Sequence, residues 1–142
     1  MRKERPLVGV GCQIIQGNKI LLGRRKGSHG EGEWSGFGGH VEFGETLEEC
    51  AKREVKEEVG LEVGNLRLLC ISDIMKYGKK HYVDVEFTAK IKSGKPRIVD
   101  KENISELKWF DLKNLPKPLF EPVKIALEAL KTKKVYFPSM GR

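Results

Sequence analysis

The chain has 142 residues and a formal net charge of +7, with 27 Lys and Arg against 20 Asp and Glu. This length suits one ordinary domain and would leave two independent domains undersized, so we expect a single domain over residues 1–142. The longest apolar stretches are only a few residues, far short of the roughly 20 that a membrane-spanning helix needs. The sequence therefore predicts a soluble, cytoplasmic protein without a membrane partner.

The basic excess favours anionic ligands such as phosphates, because summed positive potential attracts them over a distance. The lysines are spread along the chain, however, and a generally solvated basic surface explains them equally well. We therefore do not expect nucleic acid as the main partner. The cysteines are odd in number and lack CxxC spacing, which predicts reduced, packed thiols at Cys12, Cys50 and Cys70.

The first elements in chain order form a predicted hairpin. Residues 7–15 are rich in β-formers, residues 17–18 read Gly-Asn and supply a turn, and residues 19–25 change from apolar to basic. Residues 27–33 are rich in glycine and polar side chains, which predicts a flexible loop that can border a binding site.

A helix is predicted after Gly44, where the hydrophobic period changes. Thr46 can cap its first turn, and the glutamates that follow favour its positive N-terminal end. Gly60 ends the helix. Its core-facing positions recur at i, i+4 and i+8, at Ala51, Val55 and Val59.

The second half of the chain predicts further strands and a closing helix. We expect strands at residues 66–71, 82–87 and 107–110 and a helix at about 122–130. The middle strand alternates and is expected to be half-buried, with one face formed by Val83, Val85 and Phe87 and the other by Tyr82, Asp84 and Glu86. Strands and helices without regular alternation indicate an α+β fold, with a mixed sheet whose faces are covered by helices.

Three carboxylates on the predicted helix carry the chemistry. Glu54, Glu57 and Glu58 stand at i, i+3 and i+4 and therefore share one stripe. Their mutual repulsion costs only about 0.2–0.5 kcal/mol per exposed pair, so a solvated acidic face is the default for three glutamates alone. The residues around them alter that balance. The pair Gly38–Gly39 lets backbone approach a ligand closely, and clustered carboxylates supply the hard oxygen ligands that Mg²⁺ or Mn²⁺ prefers.

The spacing of residues 39–61 resembles the complete Nudix box. It runs from Gly39 through Glu45 to Arg53-Glu54-Val55, Glu57-Glu58 and Gly60-Leu61. The resemblance implies an α/β/α sandwich and metal-dependent hydrolysis, with Mg²⁺ or Mn²⁺, of a nucleoside diphosphate linked to another moiety X. Segments outside the box resemble the small nucleoside triphosphate pyrophosphohydrolases, the MutT-like branch. One departure is Gly36-Phe37 before the paired glycines, a form seen in oxidised-purine triphosphatases, which leaves the base preference open.

The same resemblance implies roles for individual residues. Glu54 is the general base or a metal ligand, Glu57 and Glu58 are metal ligands, Glu45 is a supporting acid, and Gly38 or Gly39 contributes a backbone carbonyl. Arg53 can tether the loop that carries Glu45. Glu102, ahead of Glu106, is the candidate for an additional acidic ligand from outside the box.

Substrate contacts are expected from the loop and the neighbouring strands. Arg24 or Arg25 could hold a phosphate, and the family resemblance favours Arg25, although simple surface arginines are an equally good reading. Trp34 and Phe37 could stack on a base or close the core, and the sequence does not separate pocket from support for Tyr82 and Trp109. The histidines lack ligand spacing, so we interpret them as loop or sheet residues, with His40 only near the site: His29, His40 and His81.

The leading expectation is an enzyme that cleaves a nucleoside triphosphate, oxidised or methylated ones included, to a monophosphate and pyrophosphate. The alternatives are hydrolysis of ADP-ribose, a dinucleoside polyphosphate or capped RNA, and a catalytically silent nucleotide-binding or RNA-binding Nudix domain. A homodimer is also expected, from the resemblance and from an edge of the apolar strand at residues 7–15.

Overall fold

The computed structural model describes residues 4–27 and 29–139. Ser28, in the predicted glycine-rich loop, lies outside the described residues. The elements in chain order are β1 (Leu7–Gln16), β2 (Lys19–Arg25), β3 (Trp34–Ser35), β4 (Phe37–His40), α1 (Leu47–Val59), β5 (Glu62–Ile74), β6 (Tyr82–Ser93), β7 (Ile104–Asp111), α2 (Glu121–Thr132) and β8 (Tyr136–Phe137).

The strands form one mixed sheet in the order β3-β2-β1-β6-β5-β8, with β4 paired to β1 and β7 paired to β2. The predicted hairpin is confirmed, since β1 and β2 pair antiparallel around a turn in which Gly17 has φ +60°. β1 also runs parallel to β6 along its length. It is therefore an interior strand, and the expectation that its edge is available for dimerisation is wrong.

The two helices cover opposite faces of the sheet. Because side chains alternate along a strand, the neighbouring residues Leu21 and Leu22 of β2 enter different core clusters. The first cluster packs under α1 and contains its buried residues Cys50, Ala51, Val55 and Val59. The second packs under α2, where Val123 meets Ile20, Leu22 and Trp34. This arrangement confirms the α/β/α sandwich within an α+β fold.

Local signals set the ends of α1 as predicted. Thr46 is the N-cap and forms a capping box with Glu49, in which each side chain bonds the other residue's backbone N–H. At the other end Gly60 takes a left-handed conformation with φ 71°. The loop that precedes the helix therefore enters it at a defined point.

The prediction for the strand at residues 82–87 is wrong in one respect. Asp84 and Glu86 are both buried, Glu86 being only 1% exposed, so β6 is covered on both faces. Sequence alternation could not show this, because the cover comes from distant segments. The three cysteines are free and buried, as expected. Neither helix within the described ranges is long and apolar enough to cross a membrane.

Candidate active site

Arg53 of α1 ties the glycine-containing strand β4 and the loop after it to the helix. Its Nε donates to Glu45 Oε2 at 2.6 Å, and its Nη2 donates to the His40 carbonyl at 3.3 Å. The hydrogen bond from Arg53 lowers the pKa of Glu45 to about 2. Arg53 Nη1 also bonds Glu57 Oε1 at 3.1 Å. One guanidinium therefore ties β4 and the loop after it to α1, because its five N–H donors can bond several acceptors at once.

Glu54 and Glu58 are held directly against the paired glycines. The backbone N–H of Gly38 donates to Glu58 Oε2 at 3.2 Å. A side chain at Gly39 would collide with the Glu54 carboxylate, so glycine is required for this approach. Burial, followed by the charge of Glu54, raises the pKa of Glu58 well above its ordinary value, and burial also raises the pKa of Glu54. Two carboxylates in one desolvated cleft resist being charged together, and a cation would relieve that cost.

The cleft beside these carboxylates fits a small divalent cation. It has a volume of about 220 Å³, and Asp100 and Asn103 line it together with Glu54 and Glu58. Within residues 4–27 and 29–139, no group of three or more His, Cys, Asp or Glu side chains is arranged so that it could hold a metal ion by itself. Mg²⁺ is commonly held by one or two carboxylates, waters and substrate phosphates. The oxygen donors of Glu54 and Glu58 meet that description.

Other predicted acidic residues lie outside the cleft. The Glu57 side chain is 56% exposed and pairs with Arg53, and Glu57 does not line the cavity described above. Glu102 is exposed and is also absent from the cavity walls. The expectation that Glu102 is a metal ligand stays a prediction, and Asp100 is the acidic residue from outside the helix that lines the cleft. The reason is local: the backbone N–H of Asp100 bonds the Glu58 carbonyl at 3.2 Å, which holds Asp100 beside α1.

A second cavity of about 190 Å³ is lined by the same paired glycines and by an aromatic wall. Tyr77 and Phe120 stack with ring centres 4.8 Å apart, and His29 lies 5.4 Å from Tyr77. The Arg25 guanidinium sits 3.9 Å from the centre of the Phe120 ring. Burial is the main cause that lowers the pKa of Arg25. The two cavities share walls at Arg25, Ser35, Gly36, Phe37, Gly38 and Glu58.

The predicted aromatic contacts divide between cavity and core. Tyr82 lines the aromatic cavity, with its hydroxyl 3.3 Å from His40 Nε2. Phe37 is 2% exposed, belongs to the core and lines both cavities. Trp34 packs in the core under α2, edge-on to Phe110, and Trp109 packs against the core under α1. Neither tryptophan lines either cavity, so the structure does not bring them to the site.

Comparison with known proteins identifies the group to which this site belongs. The profile of the NUDIX domain matches residues 5–130. The chain belongs to the NUDIX family. A MutT NUDIX hydrolase from Burkholderia pseudomallei has a similar structure, with a TM-score of 0.86 and 38% identity, covering 89% of this chain and 99% of that one.

Named relatives of this NUDIX chain differ in what they act on. An oxidized purine nucleoside triphosphate hydrolase from Danio rerio is 36% identical over 72% of this chain. The chain spans only 65% of that relative's length, and the same share of the Mus musculus protein of that name. An ADP-ribose pyrophosphatase from Methanocaldococcus jannaschii is 36% identical over 90% of this chain and 75% of its own length.

Sequence reasoning missed several residues that line the NUDIX site. Tyr77 and Phe120 are 43 residues apart and meet only through the tertiary fold, so no local pattern marks them. His29 and His40 line the aromatic cavity, although the sequence predicts them only as loop or sheet residues, with His40 near the site. Gln13, Asp84 and Glu86 also line it. The sequence did offer a signal for Asp84 and Glu86, because they are two carboxylates between the apolar residues of one strand.

Proposed function

We propose that this protein is a divalent-metal-dependent pyrophosphohydrolase of nucleoside triphosphates, oxidised purine nucleotides included. Hydrolysis would release a nucleoside monophosphate and pyrophosphate. The supporting relatives are the oxidized purine nucleoside triphosphate hydrolases and the MutT NUDIX structure.

The observation that carries the proposal is the set of wall residues that the two cavities share. The carboxylates Glu54 and Glu58 lie at one end, and the stacked rings of Tyr77 and Phe120 lie at the other. Arg25 borders both cavities. A compact ligand with a flat base and an adjacent polyphosphate matches this order of surfaces, because flat rings favour stacking and Arg favours phosphate.

Each group has a distinct task in this proposal. Glu54 and Glu58 would hold Mg²⁺ or Mn²⁺, which when bound neutralises phosphate charge and lowers the pKa of a coordinated water. Arg25 binds a phosphate, and the backbone of Gly38 orients the Glu58 carboxylate through its N–H. Arg53 positions the helix against the loop and does not need to touch substrate.

A second candidate is hydrolysis of ADP-ribose. The Methanocaldococcus jannaschii relative with that name aligns over 90% of this chain. A panel of nucleoside triphosphates, ADP-ribose, dinucleoside polyphosphates and capped RNA, incubated with Mg²⁺ and scored for released products, separates these candidates. We expect the highest kcat/KM for a nucleoside triphosphate, with pyrophosphate as a product. A clear preference for ADP-ribose would overturn the substrate assignment and leave the metal site intact.

The metal site is tested by Glu58→Gln. We expect kcat/KM to fall at least about 10- to 100-fold, the loss typical of disturbing a metal's surroundings. Mg²⁺ should raise the melting temperature of the wild type and not that of the variant, because only the wild type binds the ion well. The amide should not itself unfold the protein, since burial already favours the neutral form of Glu58.

The matched control is Glu48→Gln on the same helix, at an exposed position near its start. It should keep both the activity and the Mg²⁺-induced rise in melting temperature. Full turnover of the wild type in excess chelator, or an unchanged response in Glu58→Gln, would contradict the assignment.

A further inference from the structure

The floor of the aromatic cavity is a buried polar group that the proposed chemistry does not use. It consists of Gln13 on β1 and of Asp84 and Glu86 on β6. The parallel pairing of the two strands sets Gly9 opposite Asp84 and Gly11 opposite Glu86. These three side chains lie on the sheet face away from α1, because Val10, Cys12, Val85 and Phe87 fill the core under that helix.

Glycines make the space for this floor. A side chain at Gly11 would collide with the Glu86 carboxyl, and one at Gly36 would come within 2.5 Å of Gln13 Oε1. A larger residue at either position would displace the polar groups. The floor is thus a built feature, to which β1, β6 and the residue between β3 and β4 each contribute.

The floor has two unused acceptors. Gln13 Nε2 donates to Glu86 Oε1 at 2.9 Å, which fixes the orientation of the Gln13 amide. Gln13 Oε1 and Asp84 Oδ2 are buried and have no hydrogen-bond partner in the described part of the chain. Gln13 is 1% exposed and Asp84 8% exposed, and both residues line the cavity. Buried acceptors without partners are costly, which argues that a ligand satisfies them.

The protonation of Asp84 and Glu86 supports the view that the floor offers hydrogen-bond acceptors to a ligand. Burial, followed by the charge of Asp84 and a hydrogen bond to it, raises the pKa of Glu86 well above its ordinary value. A neutral Glu86 accepts from Gln13 and donates its proton to Asp84. Burial raises the pKa of Asp84 as well, and the hydrogen bond with Glu86 opposes that rise, so Asp84 is the member of the pair that ionises more readily. In that state Gln13 Oε1 and Asp84 Oδ2 can only accept hydrogen bonds.

We propose that Gln13 and Asp84 bind the edge of a nucleobase that carries two adjacent N–H donors, as the N1–H and 2-amino groups of a guanine-type base do. This inference rests on the proposed function, since it names the base of the triphosphate that the site cleaves. The aromatic wall of Tyr77 and Phe120 supplies a stacking surface beside the floor. Reading a base by its hydrogen-bonding edge while stacking its face is a general mode of nucleobase recognition.

Two other purines separate edge recognition from stacking alone. Hypoxanthine keeps N1–H and lacks the 2-amino group, so it leaves one floor acceptor unpaired. Adenine offers its 6-amino donor beside N1, which is itself an acceptor and meets the floor unfavourably. A site whose polar groups are left unpaired rejects the analogue strongly.

The test is calorimetric binding of GMP, IMP and AMP to the wild-type protein, with kcat/KM for GTP, ITP and ATP measured in parallel. We expect GMP to bind at least about tenfold more tightly than IMP and AMP, the loss typical of one hydrogen bond to a charged group. The same ranking is expected in kcat/KM. Asp84→Asn should weaken GMP binding about tenfold or more and change AMP binding less.

The control Asp111→Asn changes an exposed aspartate at the end of β7 and should leave all three affinities unchanged. Gln13→Met serves as a second variant with a similar expected loss if Asp84→Asn does not fold. Equal affinities of the wild type for the three monophosphates, or no binding of any, would overturn the inference. Absence of triphosphate hydrolysis alongside a clear GMP preference would instead overturn the proposed function.

Discussion

Arg24 and Arg25 are neighbours in sequence with separate surroundings. Arg24 pairs with Glu106 at 3.0 Å on the surface, while Arg25 lies over the Phe120 ring in the cavity. Alternation of side chains at the end of β2 separates them. The sequence could narrow the phosphate-binding candidate to this pair, because a basic strand end beside a glycine-rich loop is a local signal. It could not show the ring of Phe120, which comes from a segment 95 positions later.

Glu86 is a buried carboxyl whose protonation should make the stability of the fold depend on pH. Its pKa is raised in the folded protein by burial and by Asp84, so the folded state binds a proton that the unfolded state has released. The free energy of unfolding should therefore fall as the pH rises above the ordinary glutamate value of 4.5 towards the folded-state pKa. Glu86→Gln keeps a neutral side chain that can bond both neighbours, and it should reduce this fall.

The measurement is urea denaturation of wild type and Glu86→Gln between pH 5 and pH 9. The difference in unfolding free energy should move in favour of the variant as the pH rises. As a control, Glu128→Gln replaces an exposed residue of α2 and should have the same unfolding free energy as the wild type at every pH. Parallel curves for wild type and Glu86→Gln would show that Glu86 does not hold the proton.

At the scale of elements, α1 is the part that the sequence predicts most completely. Its cap, its buried stripe and its terminal glycine all act within a few residues of one another, so pattern alone defines them. β5 and β6 are longer than predicted, at 13 and 12 residues. Their ends depend on pairing with each other, and their register shifts near Gly64 and Leu68. Such pairing is a tertiary property, so the sequence pattern predicted only residues 66–71 of β5 and residues 82–87 of β6.

Thr46 tests how much the helix start contributes. Thr46→Ala removes the side-chain acceptor for the Glu49 backbone N–H and should lower the free energy of unfolding by about 1 kcal/mol. Thr46→Ser keeps the hydroxyl and should stay close to the wild type. Urea denaturation at neutral pH measures both. If serine and alanine destabilise equally, the capping hydroxyl is not the cause.

At the scale of the molecule, the sheet arrangement determines what each face can do. α1 covers one face and carries the carboxylates, and the other face holds the polar floor beneath the aromatic wall. β1 lies between β2 and β6, so the predicted homodimer, which stays a prediction, must use another surface. The family and layer order were predictable from the box and the periodicity. The division of the site between the two faces of the sheet could not be predicted, because it depends on which distant segments cover β6.

The net charge of +7 should steer a polyanionic substrate, and Lys80 is well placed to contribute. After burial and Arg25, the charge of Lys80 is the next cause that lowers the pKa of His29 in the cavity wall. Lys80→Gln should therefore reduce kcat/KM for a triphosphate about two- to threefold at low salt, where the Debye length is about 30 Å. Lys131→Gln, at the far end of α2, should have a smaller effect.

Raising the ionic strength to about 0.1 M shortens the Debye length to about 10 Å and should reduce the difference between the variants, with kcat unchanged. Equal effects of the two substitutions would contradict the special placement of Lys80, and a kcat/KM that does not depend on salt would show that the positive surface plays no part in capturing the substrate.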